Sequence, residues 1–419
     1  MHAEPITCHR PRPDAAAEFA APPYDVFDRA GAAAYVAEHP RSFLAIDRPE
    51  TAFPPGHDPY AEDVYARARD LLAERVADGT LLRDATPCYY LYRLRRGGHE
   101  QTGIVAGVAM DDLADGTVRA HELTRPEKEA DRARHIEATG CQTGPVFLAY
   151  RDNAVMDILV EAAKAAEALY DFTDDEGVRQ TVWRVARPAA VESFRAMLGQ
   201  VGRAYIVDGH HRAAAAAGVC RRMREAAGAS LSGTEPYNYL LCVLFPASQL
   251  SVLPYDRVVA DTGGLDEAGL VAALEAAGVA VGERREGPVS PGGRGQVGMY
   301  AFGAWRELAL GGARPDDPAE GLDVAILQDR VLGPVLGIAD PRSDGRISFV
   351  GGAEGPEALA RRAGERGVAF SLFPVSMGEL MAVADAGRLM PPKSTWLEPK
   401  LRSGLFIRRV GPGRGAGAH

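Results

Sequence analysis

The sequence has no apolar run approaching the roughly 18 residues that a membrane-spanning helix needs, and residues 1–14 carry Pro, Arg and Asp where a secretory leader needs an apolar stretch. Both absences lead to the expectation of a cytoplasmic protein without membrane attachment. No Cys-x-x-Cys pair occurs either. The five cysteines, Cys8, Cys88, Cys141, Cys220 and Cys242, are odd in number and scattered, which leaves no thiol-exchange or zinc motif and predicts reduced, mostly buried thiols. Positive charge is not in excess: the formal net charge is -10, which argues against sequence-independent binding of nucleic acid. The most basic stretch, 125–134, is interleaved with Glu127, Glu129 and Asp131 and reads as a solvated helix face. There is no repeat of fixed period.

What the chain does have is the composition of an ordinary globular protein, 46% hydrophobic and 25% charged over 419 residues, enough for two or three domains. Its 46 glycines and 29 prolines are spread over many turns, as in a mixed α/β fold. Apolar periodicity predicts a helix over 60–76, a hairpin from 89–92 and 103–108 around Gly97-Gly98, a short strand over 118–122 and a charged helix over 126–138. A buried strand over 145–150, a helix over 155–169, a hairpin at 174–177 and a helix over 190–198 follow. Next come a strand over 204–207, a helix over 212–227 and a strand over 237–245.

The segment with the most chemistry is Asp208-Gly209-His210-His211-Arg212, a turn between an apolar strand and a helix. A helix N-terminus presents unpaired N–H groups and partial positive charge, worth about 0.3–2 kcal/mol to an anion, and Gly209 lets backbone approach closely. The two imidazoles and the guanidinium add donors for phosphate oxygens. Asp208 is the one carboxylate among them and tolerates a phosphate only across a cation, so the set predicts Mg2+ held by Asp208 and a magnesium nucleotide. Two other readings remain open here: Asp208 as a plain helix N-cap, and a transition-metal site on Asp208, His210 and His211, disfavoured because neighbouring helical residues point about 100° apart. Transfer to a hydroxyl needs a base. His121-Glu122 is the best-placed source, followed by a loop in which His121, Arg125, Lys128 and Arg132 form a candidate substrate-binding set.

Two glycine motifs are set aside. The run Gly387 to Lys393-Ser394 mimics a phosphate-binding loop, but Pro391 and Pro392 have no N–H to offer and 395–397 reads as strand. The glycines at 351, 352 and 355 follow a strand but lack dinucleotide spacing and read as a helix entry.

Asp208-Gly209-His210-His211-Arg212 after a strand, with His121-Glu122 upstream and Lys128, Asp131 and Arg132 between, resembles the SerK-like family of free-serine kinases, of ParB/sulfiredoxin-like fold, and above all its large bacterial branch of unknown function. Pro22-Pro23-Tyr24-Asp25-Val26, Ala138-Thr139-Gly140, Pro145-Val146-Phe147, Pro391-Pro392-Lys393-Ser394-Thr395 and Pro399-Lys400-Leu401 extend the likeness along nearly the whole chain. The resemblance implies ATP- or ADP-dependent phosphorylation of the serine hydroxyl, with Glu122 as catalytic base and Asp208, His210, His211 and Arg212 in the nucleotide-phosphate and magnesium region. It also implies a ParB/sulfiredoxin-like catalytic region over 1–260. An α+β region over 261–410 that closes a cleft or forms a homodimer, and a flexible tail over 411–419, complete the expected layout. Ala213, Gly144 and Gln328 depart from the family pattern and leave the acceptor open, a smaller residue at 213 being expected to widen the pocket. A ParB-like nucleotide-dependent nucleic-acid or regulatory binding protein and a phosphoester hydrolase are the competing readings.

Overall fold

The computed structural model describes residues 1–228 and 232–411, so most of the expected tail lies outside the described residues. The fold is mixed α/β, as the sequence predicts, and the chain divides into two compact units: Met1–Leu250 with Pro399–His419, and Ser251–Glu398. The boundary thus falls near residue 250, and the chain returns to its first unit at Pro399.

The first unit is built on one mixed sheet of nine strands. Across the sheet run Val118–Arg119, Ala204–Asp208, Val146–Tyr150, Tyr239–Pro246, His99–Ala109, Tyr89–Arg96, Arg179–Val185 and Tyr170–Thr173, with Ala3–Glu4 also pairing His99–Ala109. The centre is apolar on both faces, with Val146, Leu148, Leu244, Ile104 and Leu91 buried on one and Phe147, Val243, Val105 and Tyr90 on the other, the pattern of strands covered by helices. The helices Pro126–Thr139 and His210–Ala227 pack on each other, and Glu62–Ala77 packs on the former. Proline at the first turn starts Pro126–Thr139, where its missing N–H costs nothing, and Gly140 at φ +67° ends it in a left-handed cap. The hairpin at 174–177 and the helices at 62–77 and 188–199 fall within a few residues of expectation.

The expected strand over 118–122 is shorter. It stops at Arg119, because its one neighbour, Ala204–Asp208, pairs with it only at Ala204 and Tyr205. Residues 120–125 leave the sheet as a loop. The expected helix over 155–169 ends at Lys164, and Tyr170–Thr173 is instead an edge strand of the hairpin. All five cysteines are free and buried, as expected.

The returning segment after Glu398 is stitched into the first unit from several sides. Gln101 Nε2 donates to the Pro399 carbonyl at 3.4 Å, and the Arg402 N–H donates to the Tyr92 hydroxyl at 3.2 Å. Ser403 exchanges two backbone hydrogen bonds with Ala21 at 2.9 and 3.1 Å. The anchor is the Arg402 guanidinium, whose Nε donates to Asp174 Oδ2 at 2.7 Å with both side chains more than nine-tenths buried.

The second unit carries a separate six-stranded antiparallel sheet, ordered 280–281, 304–309, 296–301, 368–372, 255–259 and 347–351. Here the carbonyls of Pro392 and Lys393 accept from the buried Arg257 guanidinium at 3.1 and 2.9 Å. The mimic of a phosphate loop thus presents acceptors rather than N–H donors to a cation of its own unit.

Removing one partner of a buried ion pair leaves the other charge uncompensated. Arg402→Met is expected to cost about 3–5 kcal/mol, read as a lower urea midpoint for the transition that reports the first unit.

Candidate active site around the histidine turn

The strand Ala204–Asp208 runs antiparallel to Val146–Tyr150, and its register slips between Ile206 and Asp208. Such a bulge re-aims the side chains beyond it, and it falls where the chain leaves the sheet. Gly209 follows at φ +91°, a left-handed conformation that L side chains rarely adopt, and caps the helix His210–Ala227 with no side chain donating a cap. Asp208 is therefore not the N-cap. The helix N–H groups open toward the turn itself.

Asp208 lies among cations. Lys400 Nζ stands 3.5 Å from its Oδ2 and an Arg212 guanidinium nitrogen 3.8 Å away. Burial alone would raise its pKa, but Lys400 and then Arg212 outweigh it and hold the carboxyl down at about 2. Arg212 is itself fixed: its NH1 donates to the Pro145 carbonyl at 2.5 Å. A Cβ on Gly209 would meet Arg212 Nε at 3.1 Å, and one on Gly144 would meet its NH1 at 3.3 Å.

Two of the imidazoles, those of His121 and His210, are held neutral. His121 and His210 are both buried and meet edge to face, ring centres 4.6 Å apart. Burial lowers the His210 pKa to about 3, with His121 adding to the effect, and lowers that of His121 to about 4 against a raising hydrogen bond to the Ile206 backbone. His121 Nδ1 and His210 Nε2 are buried without a hydrogen-bond partner among the described residues. Glu122 Oε2 lies 3.9 Å from His210 Nδ1, its side chain 39% exposed. His211 turns to the loop instead, its Nε2 accepting from the Arg125 N–H at 3.0 Å.

Of the expected substrate set, then, His121 packs on His210, and Arg125 reaches the turn through its backbone while its side chain stays exposed beside Glu127 at 3.8 Å. Lys128 is half-buried on the first turn of the helix Pro126–Thr139. Arg132 is buried and committed to the fold. It bonds Asp131 at 3.0 Å and the Asp47 carbonyl at 3.2 Å, and it lies over the Tyr24 ring at 4.3 Å. It lines a small cavity of about 30 Å³ with Tyr24, Asp47, Thr143 and Arg212. Ala213 faces the core, 2% exposed, so its small size does not widen a pocket beside the turn. Gln328 belongs to the second unit, where its Nε2 donates to the Ile338 carbonyl at 2.7 Å. Lys400 had been noted in the sequence only as part of Pro399-Lys400-Leu401. Its place beside Asp208 depends on a contact 192 residues long in sequence.

Among the described residues no group of three or more His, Cys, Asp or Glu side chains is placed to hold a metal ion. Asp208 is a single carboxylate, which suits Mg2+ shared with substrate phosphates and water rather than a cage made by protein alone. No helix of the described residues is long and apolar enough to cross a membrane.

A model of the family described as a protein of unknown function, DUF1015, matches residues 3–325. The chain belongs to this family. The match includes the whole histidine turn and ends before Lys400. No curated protein matches the sequence. Among solved structures it is similar to a free serine kinase mutant in complex with AMP, at 14% identity and a TM-score of 0.38 over 73% of this chain and 92% of that one. It is also similar to SbnI with C-terminal truncation from Staphylococcus aureus, at 14% and 0.37 over 73% and 87%. A conserved hypothetical protein from Pyrococcus furiosus follows at 13% and 0.35 over 73% and 95%.

Two predictions test this geometry. Gly209→Ala places a side chain in the left-handed region and against Arg212, and is expected to cost about 1–3 kcal/mol in urea unfolding. Both buried imidazoles have pKa values below the ordinary 6.5, so the unfolded chain binds protons that the folded one refuses. Stability is intact above pH 6.5 and falls as pH drops toward the folded values, by about 2–3 kcal/mol per ring between pH 7 and 4.5. His121→Gln should lose correspondingly less over that interval. Equal acid losses in wild type and variant would show that the ring is not held neutral by burial.

Proposed function

We propose that the protein is a small-molecule kinase that transfers phosphate from a magnesium nucleotide, ATP or ADP, to the hydroxyl of free serine or a related hydroxy amino acid. The observation that carries this reading is the approach of Glu122 to His210, within 3.9 Å, at an uncapped helix N-terminus where Lys400 and Arg212 flank Asp208. A base, an anion site and a cation-bridged carboxylate are the parts that phosphoryl transfer to an alcohol requires. The motif resemblance to SerK-like kinases supports the acceptor class and a ParB/sulfiredoxin-like catalytic region in the first unit. A cytoplasmic setting agrees with intracellular nucleotide.

In this mechanism the phosphates rest on the N–H groups of the helix His210–Ala227, with Gly209 giving close approach and Arg212 taking up charge on the transferring group. Asp208 would hold Mg2+, which would supply neutralisation of charge on the phosphate oxygens. Glu122 accepts the proton of the attacking hydroxyl while the new oxygen–phosphorus bond forms and the bond to the leaving nucleotide phosphate breaks. The neutral His210 holds the Glu122 carboxylate in place without supplying a competing charge. Arg125 and Lys128, at the start of the helix Pro126–Thr139, are the groups proposed to meet the acceptor carboxylate, with Arg132 fixing the wall behind them.

A positioned carboxylate base contributes about 100- to 10,000-fold. Glu122→Gln should lower turnover by that factor while nucleotide affinity changes little. Phosphorus NMR with magnesium, ATP or ADP, and L-serine, D-serine, threonine or homoserine in turn reads the phosphomonoester formed. Inorganic phosphate as the sole product would make the protein a hydrolase, and nucleotide binding without turnover would make it a nucleotide-dependent binding protein.

A further inference from the structure

We infer that Lys400, brought in by the returning C-terminal segment, is a phosphate-binding residue of the histidine turn, so that the anion site is incomplete without residues that lie beyond the matched family region. The inference rests on the proposed phosphate-transfer reading and extends it to a group outside residues 3–325.

Three observations carry it. First, Lys400 is held on both sides: the Pro399 carbonyl accepts from Gln101, and Arg402 is locked to Asp174 and Tyr92. Its ammonium therefore reaches Asp208 from a fixed backbone, at 3.5 Å, with only 18% of the side chain exposed. Second, the same turn contains an unsatisfied polar group. His210 Nε2 is buried with no hydrogen-bond partner among the described residues, in a residue 7% exposed, and the helix that begins there has no side-chain cap. Buried groups of this kind are almost always satisfied, and a phosphate oxygen at the helix start would satisfy the N–H groups and the ring together. Third, the residue type is selective. Only four of the 47 Lys and Arg residues are lysines, and among the described residues Lys164 and Lys400 are the lysines that form ion pairs. An ammonium is a compact point charge that can turn from a carboxylate to a phosphate without the fixed fork of a guanidinium.

The carboxylate of Asp208 is thus compensated by Lys400 in the ligand-free protein. When a phosphate with its own cation enters, Asp208 turns to the cation and Lys400 is released to the phosphate oxygens, so the site keeps its charge balance in both states.

The test is calorimetric titration of the full-length protein with magnesium pyrophosphate and with MgADP, for wild type, Lys400→Met and Lys400→Arg, each checked by its thermal unfolding midpoint. Lys400→Met should weaken pyrophosphate binding about 10- to 100-fold, and Lys400→Arg, which keeps the charge but carries a fixed fork, should restore only part of the loss. Unchanged pyrophosphate affinity in Lys400→Met, whatever happens to its unfolding midpoint, would reduce Lys400 to a structural partner of Asp208 and overturn the inference. A wild type that binds pyrophosphate but neither ADP nor ATP would overturn the kinase reading while leaving Lys400 to be judged by the pyrophosphate result. A wild type that binds no phosphate at all would overturn both.

Discussion

The ion pair between Asp208 and Lys400 is the constraint on which the first unit is arranged. A carboxylate at the end of a buried strand keeps its charge only where cations stand close. Arg212 is supplied locally, four residues on, but Lys400 comes from the far end of the chain. Bringing it there requires the chain to leave the second unit at Glu398 and to re-enter the first. That re-entry is in turn secured by the buried Arg402–Asp174 pair and by backbone hydrogen bonds to Ala21 and His9. Long-range pairing of this kind carries a loop-closure cost that rises only slowly with length, so a compact second unit can sit within the connection.

Against that charged pair stands an uncharged one. His121 and His210 are driven neutral by burial, although His210 belongs to the turn richest in polar side chains. The consequence is a division of labour within a few ångströms: charge belongs to Asp208, Arg212 and Lys400, while the imidazoles supply shape and hydrogen-bond sites. Glu122 Oε2 lies 3.9 Å from the His210 ring.

The elements that could be read from the sequence are those whose signal is local. The strand before Asp208, the alanine-rich helix after it and the start of the charged helix at Pro126 follow from period, propensity and proline placement. The histidine turn was legible as a strand end, glycine turn and helix start because those three signals are contiguous. What was not legible depends on contacts distant in sequence. The strand expected to reach Glu122 stops at Arg119 because its partner offers only two paired residues. The neutrality of His210 follows first from burial and then from the edge-to-face His121 ring, 89 positions earlier in the chain. Lys400 could be seen as part of a motif, yet nothing near it in sequence indicated its partner.

The departures at Gly144 and Ala213 can be weighed in the same physical terms. Ala213 is packed in the core, so its size bears on helix packing and not on room beside the turn. Gly144 has a more direct bearing. It and Gly209 enclose the Arg212 guanidinium from two directions, and a Cβ at either would come within 3.1–3.3 Å of it. Arg212 has little freedom to yield, since its NH1 is held by the Pro145 carbonyl. A serine at 144 would therefore displace the guanidinium or break that hydrogen bond, and either change alters the distance from Arg212 to Asp208. The glycine at 144 leaves room for the Arg212 guanidinium where it stands, 3.8 Å from Asp208, so the departure from the family pattern bears on where that cation is placed.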